Sequence, residues 1–195
     1  MLSIEGVDAL IEKGGSFSPF FGWHDDHAAT DGTADYKPAL QQVRGEFSAL
    51  MDRIAELPNR GRVLQLGMGN CRASHMVWRA LFDQAVTIDL GVIAVDGEES
   101  HGANTHHAEA QLLAAKHMPY DMLFIDAGHT YDDVLKDHVD YSVMVRPGGL
   151  IAFHDALPRD RYPEVEVWRY LRQLLPCDRV FLTGQEVGTA WMTRG

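Results

Sequence analysis

Two short apolar runs in the second half of the chain each end in an acid. Met122-Leu123-Phe124-Ile125 runs into Asp126, with His129 three residues later, and Leu150-Ile151-Ala152-Phe153 runs into His154-Asp155. Carboxylates hold hard cations, while imidazoles exchange protons near neutral pH and as ligands tolerate Mg²⁺ but favour Mn²⁺, Fe²⁺ or Zn²⁺. Unbroken apolar runs of this length suit strands buried on both faces, as in a parallel sheet covered by helices. Ligands of such sheets bind just beyond the carboxyl ends of the strands. Asp126, His129, His154 and Asp155 are therefore expected to share one pocket. Two carboxylates ending adjacent strands repel each other unless a cation stands between them.

A second chemical signal lies upstream. Val63-Leu64-Gln65-Leu66 reads as a buried strand and Gly67-Met68-Gly69-Asn70-Cys71 as the turn after it. A helix follows, with Ala73, Met76, Val77, Ala80 and Leu81 at 3.6-residue spacing, then a strand, Ala85-Val86-Thr87-Ile88, ending in Asp89. This strand, glycine turn, helix, strand and acid form a nucleoside fingerprint. The glycines admit a close ligand, and the acid about 20 residues on accepts from ribose hydroxyls. Asp96, after Val92-Ile93-Ala94-Val95, is the rival ribose ligand; Asp89 has the better spacing from Gly69. Asn104-Thr105-His106-His107 is expected to be a third strand, which puts Glu109 at a strand-to-helix junction near the pocket.

The elements that must position these groups follow from local signals. Pro38 opens a helix with Leu40, Val43, Phe47, Leu50, Met51, Ile54 and Leu57 on one face. Thr130 with Asp133 forms a capping box, so a helix starts at Tyr131 and packs Val134, Leu135, His138 and Tyr141 inward. His138 thereby reads as a core histidine. Pro147-Gly148-Gly149 turns into the next strand. A last helix from Pro163 should bury Val165, Trp168, Leu171 and Leu175, before two late strands at Arg179–Thr183 and Gly188–Thr193. Residues 1–36 read as an arm or lid, with Phe17, Phe20, Phe21 and Trp23 leading into His24-Asp25-Asp26-His27, a cluster of metal-ligating types for which a solvated polar loop is the expectation over a metal site. Residues 37–195 read as a single domain.

At 195 residues, 46% hydrophobic and 23% charged, the chain has the length and composition of one soluble domain with a substantial core. A formal net charge of -11 opposes a nucleic-acid partner and docking on anionic membranes. No apolar stretch is long enough to span a bilayer. The amino terminus lacks the features of a signal peptide. Two cysteines, Cys71 and Cys177, make no disulfide framework, and the expectation is a reducing cytoplasm.

The element order and the strand ends resemble those of class I S-adenosylmethionine-dependent methyltransferases. More narrowly, Phe124-Ile125-Asp126-Ala127-Gly128-His129-Thr130-Tyr131, then Val134 and Asp137, and Arg146-Pro147-Gly148-Gly149 followed by Phe153-His154-Asp155, resemble a small-molecule group. That group is related to macrocin-type O-methyltransferases and cephalosporin-hydroxylase-like proteins. The resemblance implies a Rossmann-like, doubly wound, mostly parallel α/β sheet of seven strands with the last antiparallel. It implies S-adenosylmethionine lying along Gln65, Gly67, Gly69, Asp89, Glu109 and Asp126. It further implies a divalent cation (Mg²⁺ or Mn²⁺) on Asp126, His154 and Asp155, with His129 as the base and a small-molecule methyl acceptor as substrate. The chain departs from the pattern at Gln65, where the family carries an acid, at Cys71 in place of the third glycine, and at Ala127. Three alternatives stay open: a nicotinamide oxidoreductase, a metal-dependent hydroxylase-like enzyme, and a non-catalytic nucleoside-binding relative. For the sites, the competing reading is that His154 and Asp155 cap strand ends against backbone amides.

Overall fold

The structure is a computed structural model that describes residues 5–7, 9, 42, 44–68, 73–91, 99–160, 162–174, 180–183 and 187–195. Its strands are β1 (Arg62–Leu66), β2 (Gln84–Asp89), β3 (Glu99–Gly102), β4 (Tyr120–Ile125), β5 (Val145–Phe153), β6 (Val180–Thr183) and β7 (Thr189–Thr193). Its helices are α1 (Arg44–Ala55), α2 (Ala73–Leu81), α3 (Ala108–Ala115), α4 (Tyr131–Ser142) and α5 (Val167–Leu174). The strands form one seven-stranded sheet in the order β3-β2-β1-β4-β5-β7-β6. The pairs from β3 through to β5 are parallel, and β7 runs antiparallel to both β5 and β6. This is the expected architecture. No helix among the described residues is long and apolar enough to cross a membrane.

Strand alternation divides the core between the two faces of the sheet. Val63, Met122, Phe124, Leu150 and Ala152 face α1 and α2, where Phe47, Leu50, Ile54 and Trp78 are buried, and Val7 joins them. Trp78 is fully buried and lies 5.4 Å from Phe47 and 4.9 Å from Phe124, centroid to centroid. Leu64, Leu66, Val86, Ile88, Leu123, Ile125, Ile151 and Phe153 face α3, α4 and α5. Burial on both faces explains why β4 is apolar almost throughout, as its unbroken run of buried residues requires.

Register delivers the site. Leu66 pairs with Ile88 on one side and with Ile125 on the other, and Ile125 pairs with Phe153. The next residue along each strand is then Asp89, Gly67, Asp126 or His154. These four leave the sheet side by side at its carboxyl edge. The order of connections reverses between β1 and β4, which is where ligands of open α/β sheets bind.

Several local expectations shift. β3 covers Glu99–Gly102 rather than Asn104–His107, pairing Thr87 with Ser100 on the sheet's outer edge. A short polar edge strand has no apolar period to betray it, and Asn104 instead makes a turn, its Oδ1 accepting from the His106 amide at 2.9 Å. α2 is rotated from the expected face: Ser74, His75, Val77, Trp78 and Leu81 are buried, and Ala80 is exposed. α5 starts at Val167, four residues later than expected, and buries Val167, Tyr170 and Leu171. Trp168 stays half-buried beneath the Arg172 guanidinium, 4.9 Å from its ring. The capping box at Thr130 and Asp133 is present. His138 packs edge-on to Phe153 and pairs with the Tyr170 hydroxyl, and burial lowers its pKa to about 4, as suits a neutral core histidine. The arm's aromatics, the His24–His27 cluster, Leu40, Val43, Gly69, Cys71, Asp96, Leu175 and Cys177 lie outside the described residues.

Candidate active site

Gly67 makes the first contact between the glycine turn and the acidic strand end. Its φ is +80°, and a Cβ on it would lie 1.9 Å from the Asp126 carbonyl oxygen. Only glycine permits this approach. The Asp126 amide donates to the Leu66 carbonyl at 2.8 Å, and the Gly67 amide to that of Ile88, also at 2.8 Å. Asp89 anchors the same turn, accepting from the Met68 amide at 2.6 Å and the Gly91 amide at 2.7 Å. Both of its oxygens are thus engaged at the turn, and a carboxylate oxygen can accept more than one hydrogen bond.

Beside the turn stands a compact cluster of acids and imidazoles. His154 Nδ1 lies 3.1 Å from Asp126 Oδ1 and 3.5 Å from Asp155 Oδ2. His129 Nε2 lies 2.8 Å from Asp155 Oδ2 and 3.8 Å from Asp126 Oδ1. In an extended strand, consecutive side chains point to opposite faces. Asp155 escapes that rule through its left-handed backbone, φ +54°, a conformation that Asp tolerates better than most residues. His154 and Asp155 can thus both address Asp126. The loop bearing His129 is clamped from behind, its carbonyl accepting from the Glu166 amide at 2.7 Å.

Proton affinities in the cluster are strongly displaced. Burial opposes charge on Asp126, but the His154 charge and hydrogen bonds from His129 and His154 outweigh it and hold the carboxyl below its ordinary range. Asp155 is depressed in the same way, with burial outweighed by hydrogen bonds from His129 and His154. Hydrogen bonds to Asp126 and Asp155 push His129 up to about 10. Burial works against a proton on His154, yet the charge of Asp126 and its hydrogen bond prevail, and its pKa also reaches about 10. Two imidazoliums therefore neutralise two carboxylates when nothing else is bound.

Gly67, Asp89, Asp126, His129, His154 and Asp155 line one cavity of about 610 Å³, a volume that suits a nucleoside-sized ligand. The donor set also fits a divalent ion. One ligand atom each from Asp126, His154 and Asp155 lies within 4.8 Å of the others. Among the described residues, neither carboxylate accepts from a backbone amide, so neither is spent as a strand cap.

Two expected contacts fall elsewhere. Gln65 is fully buried, its Nε2 donating to the Gly67 carbonyl at 2.7 Å and to Ser74, while its Oε1 accepts from Thr87 at 3.3 Å. An amide both donates and accepts, so it satisfies this polar network beneath the turn and does not line the cavity. Glu109 is exposed on the first turn of α3 and also stands outside the cavity wall, because β3 ends earlier than the sequence suggests.

Sequence reasoning missed other participants. Gln42 is buried and donates from Nε2 to Asp126 Oδ2 at 3.2 Å. Arg159 pairs with Asp155 Oδ1 and lines the cavity. His106 lines it too, 3.5 Å from the fully buried Asp137 and 3.8 Å from Asp133. Glu46, a buried acid, accepts from the Gly188 amide at 2.8 Å and fixes the segment beside the cavity-lining Val187. No local motif announces any of these contacts. Each joins residues brought together by the fold, and only the i,i+4 spacing of Arg159 to Asp155 was available as a hint.

Comparison with known proteins agrees with this fold. A family model described as a methyltransferase domain matches residues 24–156, and the chain belongs to that family. MycE, a methyltransferase from the mycinamycin biosynthetic pathway solved with Mg, SAH and mycinamycin VI, superposes with a TM-score of 0.61 at 18% identity. The match covers 76% of this chain and 48% of MycE, so the chain spans about half the length of that relative. SAH-bound PaMTH1 from Podospora anserina gives a TM-score of 0.57 at 14% identity, covering 79% of this chain and 80% of that one. CalS11, a TDP-rhamnose 3'-O-methyltransferase of calicheamicin biosynthesis, gives 0.51 at 16% identity, covering 75% and 76%. No curated protein sequence matches the chain.

Proposed function

We propose that the protein transfers a methyl group from S-adenosylmethionine to a hydroxyl oxygen of a small molecule, assisted by a divalent cation. The observation that carries this reading is the single row formed by Gly67, Asp89, Asp126 and His154, which puts a nucleoside-type turn and an ion-binding cluster in one cavity. MycE solved with Mg and SAH, and PaMTH1 solved with SAH, support the cofactor and the ion.

The roles follow from charge and reach. Asp89 would accept from the ribose, Gly67 would let the turn approach the methionine part, and the Asp126 carboxylate would offer negative charge to the cationic cofactor. Asp126, His154 and Asp155 would hold the cation. A bound cation lowers the pKa of a hydroxyl beside it, and S-adenosylmethionine supplies an electrophilic methyl group. His129 takes the hydroxyl proton. With a pKa near 10 it is already protonated in the ligand-free cluster. It becomes a base only when Asp155 and Asp126 are engaged by other partners and no longer stabilise its proton. Gln42 orients Asp126 for this work through the 3.2 Å bond.

Calorimetry with S-adenosylhomocysteine against NAD tests the cofactor, with binding of the former and none of the latter expected. No binding of S-adenosylhomocysteine at millimolar concentration would remove the foundation of the assignment. The burial of Gln65 away from the cavity favours one second reading, a nucleoside-binding protein without turnover, since no acid remains at that position for the methionine ammonium. Tight S-adenosylhomocysteine binding with no methyl transfer to any hydroxylated acceptor marks that case.

A further inference from the structure

Arg159 stands at the cavity wall four residues past Asp155 and outside the stretch that the family model matches. It is the only lysine or arginine among the described residues that line this cavity, whose other charged lining groups are Asp89, Asp126, Asp133 and Asp155 and the three histidines His106, His129 and His154. One amino group of its guanidinium, Nη2, rests on Asp155 Oδ1. The Nε–H is buried and has no hydrogen-bond partner among the described residues. The half-exposed ring of Tyr162 lies 5.1 Å from the guanidinium carbon, so the planar group is held on one face. A guanidinium N–H taken out of contact with water is satisfied only by an acceptor, and the charged fork as a whole stands at the cavity wall.

Asp155 is also in demand elsewhere. It already accepts from His129 and neighbours His154, and it is one of three groups that converge as ion ligands. A carboxylate drawn toward a cation has less charge to offer Arg159. The guanidinium is then left at the cavity wall, held by Tyr162 and short of an anion. Its planar fork matches a carboxylate better than it matches any neutral group.

We propose that Arg159 selects an acceptor carrying a carboxylate near the hydroxyl to be methylated, with Asp155 as its partner while the acceptor is absent. The inference rests on the methyl-transfer reading for the identity of the site. Arg159 is a specificity-determining residue and takes no part in the proton transfer.

The test titrates two probes of matched shape, 2,3-dihydroxybenzoate and 2,3-dihydroxybenzyl alcohol, into the full chain with Mn²⁺, with and without S-adenosylhomocysteine. The benzoate should bind roughly 10–100-fold more tightly than the alcohol, the worth of one charge-assisted contact in a partly buried site. Arg159→Gln should cut that ratio to about threefold or less by removing the charge and the fork together. A residue that merely braced Asp155 would weaken both probes alike and leave the ratio unchanged. Arg159→Lys, which keeps the charge without the fork, serves if the glutamine variant fails to fold, and it should lower the ratio several-fold. Equal affinity of the wild-type protein for both probes overturns the proposal, as does no saturable benzoate binding or a ratio that survives substitution. Failure of S-adenosylhomocysteine to bind, with the benzoate preference intact, refutes the cofactor reading alone.

Discussion

Gly67→Ala adds one carbon, and the surroundings of that carbon set the cost. The backbone at φ +80° penalises an L-residue by about 1–2 kcal/mol. The new Cβ would also meet the Asp126 carbonyl oxygen at 1.9 Å, its carbon at 2.5 Å and the Ala127 Cα at 2.7 Å. All three are backbone atoms and cannot rotate aside. The carboxyl ends of β1 and β4 must therefore part, which breaks the 2.8 Å bond from the Asp126 amide to Leu66. That bond is worth about 1 kcal/mol, and with packing losses the total reaches roughly 3 kcal/mol or more. Displacing Asp126 also opens its 3.1 Å contact with His154, so ligand binding should fall with stability. Urea unfolding should show a midpoint lowered by about 1 M at an unchanged slope of ~2–3 kcal/mol/M. Gly148→Ala is the internal control: its φ is +78°, but nothing lies within 4 Å of the added carbon. It should cost only the backbone term of about 1–2 kcal/mol. Equal losses in the two variants, or a Gly67→Ala loss under ~1 kcal/mol, would refute the steric argument.

The remaining predictions concern the cavity. Asp89→Ala should weaken S-adenosylhomocysteine binding by about 1–3 kcal/mol in calorimetry through lost ribose hydrogen bonds. With an acceptor in hand, EDTA should abolish turnover, and Asp126→Asn should reproduce the effect of EDTA. His129→Gln should leave Mn²⁺ binding detectable by calorimetry while slowing turnover roughly 10²–10⁴-fold. Stability of the metal-free protein should fall between pH 7 and pH 9. His129 and His154 have folded pKa values of about 10 against an ordinary 6.5, so their contribution is fully present below about 6.5 and is lost as pH rises toward 10. For His154, 5% exposed, this amounts to roughly 2 kcal/mol over that window, with a smaller, solvent-screened share from His129. That corresponds to a Tm lower by about 4–8 °C at pH 9. A flat profile, or one equally steep in Asp155→Asn, would show that the ion pairs do not carry it.

Much of the site was legible because its signals are local. A buried parallel strand must be apolar, and the first polar residue after it must emerge at the edge of the sheet. Met122–Ile125 before Asp126 and Leu150–Phe153 before His154 state this directly, and Gly67 with Asp89 states it for the neighbouring strands. The capping box at Thr130 fixed the start of α4, and with it the place of His129 in the loop before that helix. β3 was misread because an edge strand of Ser, His and Gly has no apolar period, and Glu109 was misplaced with it.

The sequence alone determined which residues end the buried central strands, since burial dictates composition over four or five consecutive positions. The tertiary structure decided how those ends are used. Strand register set Leu66, Ile125 and Phe153 level, and a left-handed backbone at Asp155 turned two consecutive side chains toward one partner. Gln65 was drawn into the polar network with Ser74 and Thr87, a choice made by neighbours 9 and 22 residues away. Gln42 reaches Asp126 across 84 residues, and Arg159 joins the cavity wall beside Asp155, which stands four residues before it. Hydrogen bonds and ion pairs depend on the separation and direction of two atoms, and pattern along one strand of sequence records neither.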